Sequence, residues 1–382
     1  MKKHQKHAKL TRPSLGNFAR NEWSFIGTPC GEIKKLAFQL TQCLSKKYKV
    51  GYVDADHKSA DEAITDADSA MSFGAAMEHT DKITFHRFDQ KEKLEAWHFR
   101  QQFNGMDLVF VNGNHFKAKS QVVFIDTRKE DSLRRKLDRL TNVELIILQD
   151  DETEVFPFLK DSLENFEKIP VVSINNFEKI EAFFFEKMKA AKPKLYGLVL
   201  AGGKSTRMGR DKGMIDYHGK PQREYVFEMM DAVCEKTFLS FREGQEAETD
   251  LPVLTDTFKG LGPFGAMLSA FQKYPNQAWL VVACDLPLLD KKTLDYLIGN
   301  RNPSAIATAF YNPETDFPEP LITIWEPRSY PILYQFLAQG YSCPRKILIN
   351  SEIELLKINE TKVLKNVNKP EELAAVKKQI VK

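Results

Sequence analysis

The sequence predicts an α/β protein of two domains, each with a mostly parallel sheet, and three observations carry that expectation. Short β-rich runs alternate with amphipathic helical stretches, and the series occurs twice. A Lys/Pro-rich seam from Lys189 to Lys194 (KAAKPK) separates the two series. The 382 residues are 42% hydrophobic and 28% charged, an ordinary globular composition with length enough for two cores without disulfide or metal staples. The domains are expected at residues 1–190 and 194–382, each of ordinary domain size.

In the first series, strands are expected at Ser24 to Ile26, Lys49 to Asp54, Asp107 to Asn112, Gln121 to Asp126, Glu144 to Leu148 and Val171 to Ile174, separated by helices. The second opens with Tyr196 to Leu200 and continues through Thr237 to Phe241, Trp279 to Ala283, Ala305 to Ala309 and Leu321 to Trp325. Each of these is expected to lead into a helix. The glycine-bearing turns after the two opening strands differ in spacing and content, so the halves read as unlike domains rather than a repeat.

Composition excludes several function classes. Lys and Arg number 55 against 52 Asp and Glu, a net charge of +3, so a dedicated nucleic-acid binder is not expected. The five cysteines form no CxxC pair, and the eight histidines show no HExxH or Cys/His metal spacing. The basic start MKKHQKHAK has no apolar stretch after it, and no run reaches the roughly 18 apolar residues of a membrane span. A reducing, cytoplasmic setting without membrane partners is expected.

The second half carries the chemistry. Directly after the strand LYGLVL comes Leu200-Ala201-Gly202-Gly203-Lys204-Ser205-Thr206-Arg207-Met208-Gly209-Arg210-Asp211-Lys212. In parallel α/β sheets ligands bind beyond the carboxyl ends of the strands, where glycines let backbone N–H groups approach phosphate oxygens. Ser205, Arg207 and Lys212 add a hydroxyl and two cations. A Walker A loop is excluded because position 198 is leucine, and GxGxxG fails because Gly202 and Gly203 are adjacent. The run Trp279 to Ala283 ends in Cys284-Asp285-Leu286-Pro287, delivering an acid to the same sheet edge. Asp285 reads either as a ligand for Mg²⁺ beside a triphosphate or as the N-cap of a helix beginning near Leu288. Between them, Asp256 precedes the glycine-rich turn Lys259-Gly260-Leu261-Gly262-Pro263-Phe264-Gly265, whose glycines let the main chain pack under a base or ribose. Asn366-Val367-Asn368-Lys369-Pro370-Glu371 reads as a helix start capped by Asn368.

These four segments, in this order from Leu195 to about Gln379, resemble the molybdenum-cofactor guanylyltransferase (MobA) family. LAGGxSxRMGxDK is matched at Leu200 to Lys212, the acid before GPxxG at Asp256 to Gly265, CDxP at Cys284 to Pro287, and NxNxPEEL at Asn366 to Leu373. The resemblance implies a Rossmann-like nucleotidyltransferase domain, similar to nucleotide-diphospho-sugar transferases. It also implies transfer of GMP from Mg-GTP to the terminal phosphate of molybdopterin, with release of pyrophosphate. Arg207, Lys212 and Asp285 are then the catalytic residues. Leu200, Ala201, Gly202, Gly203, Ser205, Asp256 and Gly262 join them in binding nucleotide, and Asp285 holds the metal. The phosphate nucleophile is already ionised, so the site needs charge neutralisation rather than a general base. The paired glycines resemble guanylyl members, whereas relatives with LAAG use cytidylyl or sugar substrates. Where family members often place an Asn that contacts the nucleotide, this chain has Phe241. The alternatives are a CTP-dependent molybdopterin cytidylyltransferase, a sugar-phosphate nucleotidyltransferase, and a non-enzymatic molybdopterin carrier. Arg345 and Lys346 are candidates to meet the acceptor phosphate or are simply solvated.

In the first half, Ser24-Phe25-Ile26-Gly27-Thr28-Pro29-Cys30-Gly31-Glu32-Ile33-Lys34 has the strand, turn and helix layout of a P-loop without its Gly-Lys-Ser/Thr. With Val50 to His57, Asp68-Ser69 and Asp107 to Gly113 it resembles the GTP-binding molybdopterin-guanine dinucleotide adaptor (MobB) over roughly Trp23 to Ile174. Ile33 or a displaced Lys34 stands where the adaptor has its phosphate-binding lysine, and Asn112 where an acid is usual. A degenerate P-loop-like scaffold is expected, with His57, Asp68 and Ser69 as candidate contacts to pterin or to proteins of molybdoenzyme maturation.

Overall fold

The computed structural model describes residues 16–55, 69–151, 154–202, 211–245, 249–367 and 370–380. The chain divides into two compact units, Met1–Ala191 and Lys192–Lys382.

The strands of the first unit are β1 (Glu22–Ile26), β2 (Val50–Val53), β3 (Met77–Asp81), β4 (His86–Gln90), β5 (Leu108–Asn112), β6 (Ser120–Ile125), β7 (Val143–Leu148) and β8 (Val171–Ser173). Six form a sheet in the order β2-β5-β1-β6-β7-β8, parallel at every pairing. β1, β5 and β6 are buried along their whole length, polar residues such as Glu22 and Gln121 included, and their apolar residues fall on both faces. The buried Glu22 at the start of β1 is satisfied by accepting the N–H groups of Asn17, Phe18, Ala19 and Lys119 at 2.6–3.0 Å. The helix Cys30–Leu44 packs Ile33, Leu36, Ala37, Leu40 and Leu44 onto the sheet. Each large member of that stripe contributes about 1.5–3 kcal/mol of burial. The β3–β4 hairpin is a separate antiparallel pair. Its polar, histidine-bearing strands expose most residues and give no strand signal in the sequence.

The second unit contains β9 (Leu195–Leu200), β10 (Lys236–Arg242), β11 (Val253–Asp256), β12 (Ala278–Ala283), β13 (Ala307–Asn312), β14 (Phe317–Trp325) and β15 (Glu354–Leu356), in the order β11-β10-β9-β12-β14-β13-β15. Only β14 runs against its neighbours among these strands. The expectation that every strand leads into a helix fails at β13, which turns directly back into β14. A two-stranded reversal needs only a short turn, whereas parallel neighbours need a crossover. Trp279 and Trp325 face each other across β12 and β14, both fully buried. Behind them, Arg301 grips Glu326 at 2.6 and 2.9 Å and also donates to the Pro193 carbonyl at 2.8 Å. No helix among the described residues is long and apolar enough to cross a membrane.

Candidate functional site

β9 and β12 are adjacent and parallel, so the segments that leave them emerge at one edge of the sheet. After Leu200, the buried Ala201 returns its N–H to the Val199 carbonyl at 3.0 Å. Gly202 follows beside the end of β10. A β-carbon there would stand 3.2 Å from the Arg242 amide nitrogen and 3.4 Å from the Ser240 carbonyl. The space this glycine leaves is therefore partly filled by the neighbouring strand. Gly203, Ser205 and Arg207 lie outside the described residues. Lys212 opens a single 3-10 turn, Lys212–Met214, capped by Asp211, whose Oδ1 accepts the Gly213 N–H at 2.9 Å. Its ammonium reaches Asp285 Oδ2 at 3.4 Å.

The structure removes the capping reading of Asp285. The next helix is Lys291–Gly299, and its cap is Asp290, whose Oδ1 accepts the Thr293 N–H at 2.8 Å. Asp285 caps no helix among the described residues, and its Oδ1 is buried there without a hydrogen-bond partner. The Asp285–Pro287 backbone is held from three sides. The Val367 N–H donates to the Asp285 carbonyl at 2.9 Å, His218 Nε2 donates to the Pro287 carbonyl at 2.9 Å, and the Gln222 amide reaches the Leu286 carbonyl at 3.4 Å. His218 is itself stacked on Tyr225, ring centroids 3.8 Å apart.

A second carboxylate faces this one. β14 runs antiparallel beside β12 and carries Glu319, whose carboxyl feels the charge of Asp285 beyond the end of β12. Glu319 is almost wholly buried, accepts from the Asn312 amide at 3.2 Å and lies 3.6 Å from the Arg345 guanidinium. Burial pushes the Glu319 carboxyl up, against the pull of Asn312 and Arg345, and the Asp285 charge adds to the rise. Burial likewise pushes Asp285 up, and Lys212 draws it partly back. Because the folded value of Asp285 lies above the unfolded one, ionising it in the folded chain costs stability. That cost is absent below the unfolded aspartate range, grows as pH rises through the interval between the two values, and is complete above the folded one. Asp285→Asn is therefore expected to raise the melting temperature at neutral pH. The gap should close as pH falls toward about 4, and thermal melts across that range check it. No group of three or more His, Cys, Asp and Glu side chains among the described residues is placed to hold a metal ion.

Asp256 ends β11 at the same sheet edge, accepting the Ser240 hydroxyl at 2.7 Å, and burial pushes its carboxyl up. Gly262 has φ +56° and caps the helix Pro263–Lys273, a conformation that glycine adopts without strain. At Gly265 a β-carbon would stand 2.4 Å from the Phe258 carbonyl oxygen, so the close approach at this glycine is to the chain's own backbone. Phe241 is a core residue, with the Arg223 guanidinium 5.6 Å from its ring centroid. Glu319 and Asn366 were not expected at the site. Asn366 Oδ1 is buried without a partner among the described residues, one residue from the amide that holds Asp285. The reading of Asn366 to Glu371 as a helix start accounts for the helix Pro370–Ile380 but not for that oxygen, and Asn368 lies outside the described residues.

In the first unit, Ile33 is fully buried and Lys34 lies over the Phe38 ring at 5.5 Å, within the surface of its own helix. Asn112 is buried and donates to Asp54 Oδ1 at 2.7 Å. Ser69 caps the turn Ala70–Phe73 and donates to Glu78 at 2.7 Å. His57 and Asp68 lie outside the described residues.

Residues 197–353 match the MobA-like NTP transferase domain. Over 193 residues, half of the chain, the sequence is 35% identical to the molybdenum cofactor biosynthesis bifunctional protein of Synechocystis sp. and spans 56% of that relative's length. It is 29% identical over 201 residues, 49% of the chain, to the molybdenum cofactor guanylyltransferase of Pseudomonas putida, covering 99% of that protein. The crystal structure of molybdopterin-guanine dinucleotide biosynthesis protein A from Archaeoglobus fulgidus aligns with a TM-score of 0.42 and 22% identity, covering 49% of this chain and 98% of that one.

Proposed function

We propose, from a second unit whose residues 197–353 are a MobA-like NTP transferase domain, that this chain moves GMP from Mg-GTP to the terminal phosphate of molybdopterin. An oxygen of the acceptor phosphate bonds to the α-phosphorus. The bond from that phosphorus to the bridging oxygen breaks, and pyrophosphate leaves with the electron pair. One observation carries the reading: an acid at the end of a central strand, spared from helix capping, keeps one oxygen unpartnered among the described residues and the other 3.4 Å from Lys212.

The residues suit Mg²⁺, which favours one or two carboxylates plus substrate phosphates over an all-protein cage. Asp285 would hold it, and the bound ion would neutralise phosphate charge. Lys212 offsets charge on the triphosphate and on the departing pyrophosphate, with Arg207 assigned the same task by its motif. The Arg345 guanidinium, one-third exposed, is available to an acceptor phosphate, while Glu319 fixes its direction. Five unpaired thiols suit a reducing cytoplasm, where proteins of molybdoenzyme maturation would take the product.

Titrating the chain with GTP, CTP, ATP and UTP, with and without Mg²⁺, tests the assignment. Preference for Mg-GTP and pyrophosphate release on adding molybdopterin support it. CTP preference reassigns the chain to the cytidylyl class, and release only with a sugar phosphate reassigns it to the sugar-nucleotide class. Molybdopterin binding without nucleotide leaves a carrier. The first unit adds no second nucleotide site in this reading, since a triphosphate there finds Ile33 turned into the core and Asn112 engaged with Asp54. Calorimetry is expected to give one GTP per chain, and a stoichiometry of two would overturn the scaffold role.

A further inference from the structure

The first unit carries a constellation that nucleotidyl transfer does not use. The turn after β1 delivers Cys30 as the first residue of the 15-residue helix Cys30–Leu44, the place where a phosphate cradle would present its amides. Its thiol is exposed. His115 Nε2 lies 3.4 Å from Cys30 Sγ, and the Asn114 amide donates to the same sulfur at 3.5 Å and to the Thr28 carbonyl at 2.9 Å. The Lys136 ammonium holds Asn114 from the other side, at 3.4 Å to its carbonyl and 3.3 Å to Oδ1.

We propose that Cys30 and His115 form a nucleophilic thiol site at which a hydroperoxide oxidises Cys30 to its sulfenic acid.

The contacts suit a thiol that reacts as a nucleophile: the His115 imidazole is placed to take the thiol proton as the sulfur attacks, and the Asn114 amide donates to the sulfur. The sulfur attacks the outer oxygen of the hydroperoxide, so a sulfur–oxygen bond forms and the oxygen–oxygen bond breaks. Sulfur loses two electrons, the peroxide is reduced to water or an alcohol, and the proton held by His115 passes to the departing oxygen. Among the described residues, the charged and titratable groups near the sulfur include His115, Lys136 and Tyr52, with Glu32 in the first turn of the helix itself. Burial lowers Lys136, and Arg139 adds to that effect. Tyr52 is engaged with Asp54 at 2.7 Å. The other cysteine of this unit, Cys43, sits near the far end of the same helix, roughly 20 Å along its axis. No intramolecular disulfide within the unit can therefore capture the product, which stops at the sulfenic acid or pairs with a small external thiol.

The test treats the full chain with hydrogen peroxide, traps sulfenic acid with dimedone and maps the label by mass spectrometry. Cys30 is expected to label at least roughly tenfold faster than N-acetylcysteine, because of the two thiols only Cys30 has a proton acceptor in contact with its sulfur. His115→Gln should bring Cys30 toward the reference rate while the far-ultraviolet circular dichroism and the unfolding transition of the first unit stay at wild-type values, reporting an intact fold. Equal rates for Cys30 and N-acetylcysteine at every pH in the wild-type chain would overturn the proposal without any variant. An unchanged Cys30 rate in His115→Gln would overturn the role of the imidazole.

Discussion

Replacing Asp285 with alanine is expected to lower pyrophosphate release at least about 100-fold while leaving the chain folded, since one preorganised charge-stabilising group typically supplies about 3–4 kcal/mol of barrier reduction. Lys212→Ala should fall by a similar factor. The double variant should lose little more than either alone, because the two side chains meet at 3.4 Å and act on one cluster of phosphates. Release rates under saturating Mg-GTP and acceptor, beside far-ultraviolet circular dichroism, check all three. Wild-type-like turnover in either single variant would sink the transferase assignment. Retained fold is expected because removing Asp285 relieves a buried carboxyl that burial already disfavours in its charged form.

Arg301→Ala is expected to destabilise the second unit by about 3–5 kcal/mol, since it strands a charge with no access to water. The Glu326 side chain is 0% exposed and Arg301 5%, and the guanidinium also satisfies the Pro193 carbonyl. Glu326→Ala should cost as much by the reverse route. Arg301→Met together with Glu326→Leu should recover much of the loss, because two apolar side chains leave no buried charge behind. Denaturant unfolding that separates the two units measures it, and a loss below about 1 kcal/mol in both single variants would show that water reaches the pair.

Strands whose side chains are buried on both faces were plain in the sequence: β1, β5, β9 and β12 are largely apolar and lie close to their expected positions. The β3–β4 hairpin was not, because its exposed strands bury little and carry no apolar pattern. β14 extends four residues earlier than expected, through Pro318 and Pro320, residues that ordinarily argue against a central strand. At the site, Lys212 and Asp285 could be named from their motifs, and the structure places them in contact. That Asp285 is not the cap of the next helix could not be read locally, since another aspartate five residues on takes that role. Glu319 was hidden for a different reason. Its relation to Asp285 exists only once β14 folds back antiparallel to β12, a pairing that no local spacing encodes.

The Val367 amide that holds the Asp285 carbonyl leaves the ribosome long after the acid itself. β9 must also wait for β12, because Leu195 pairs with Ala278, so the central strands of the second sheet close late in synthesis. The first unit draws every strand of its sheet from residues translated before β9 and can form while the rest is still being made. A polypeptide interrupted short of Val367 would thus keep an assembled leading domain but leave the acid-bearing loop without that tether. Synthesis of the later segment is the step that completes the backbone support of this acid.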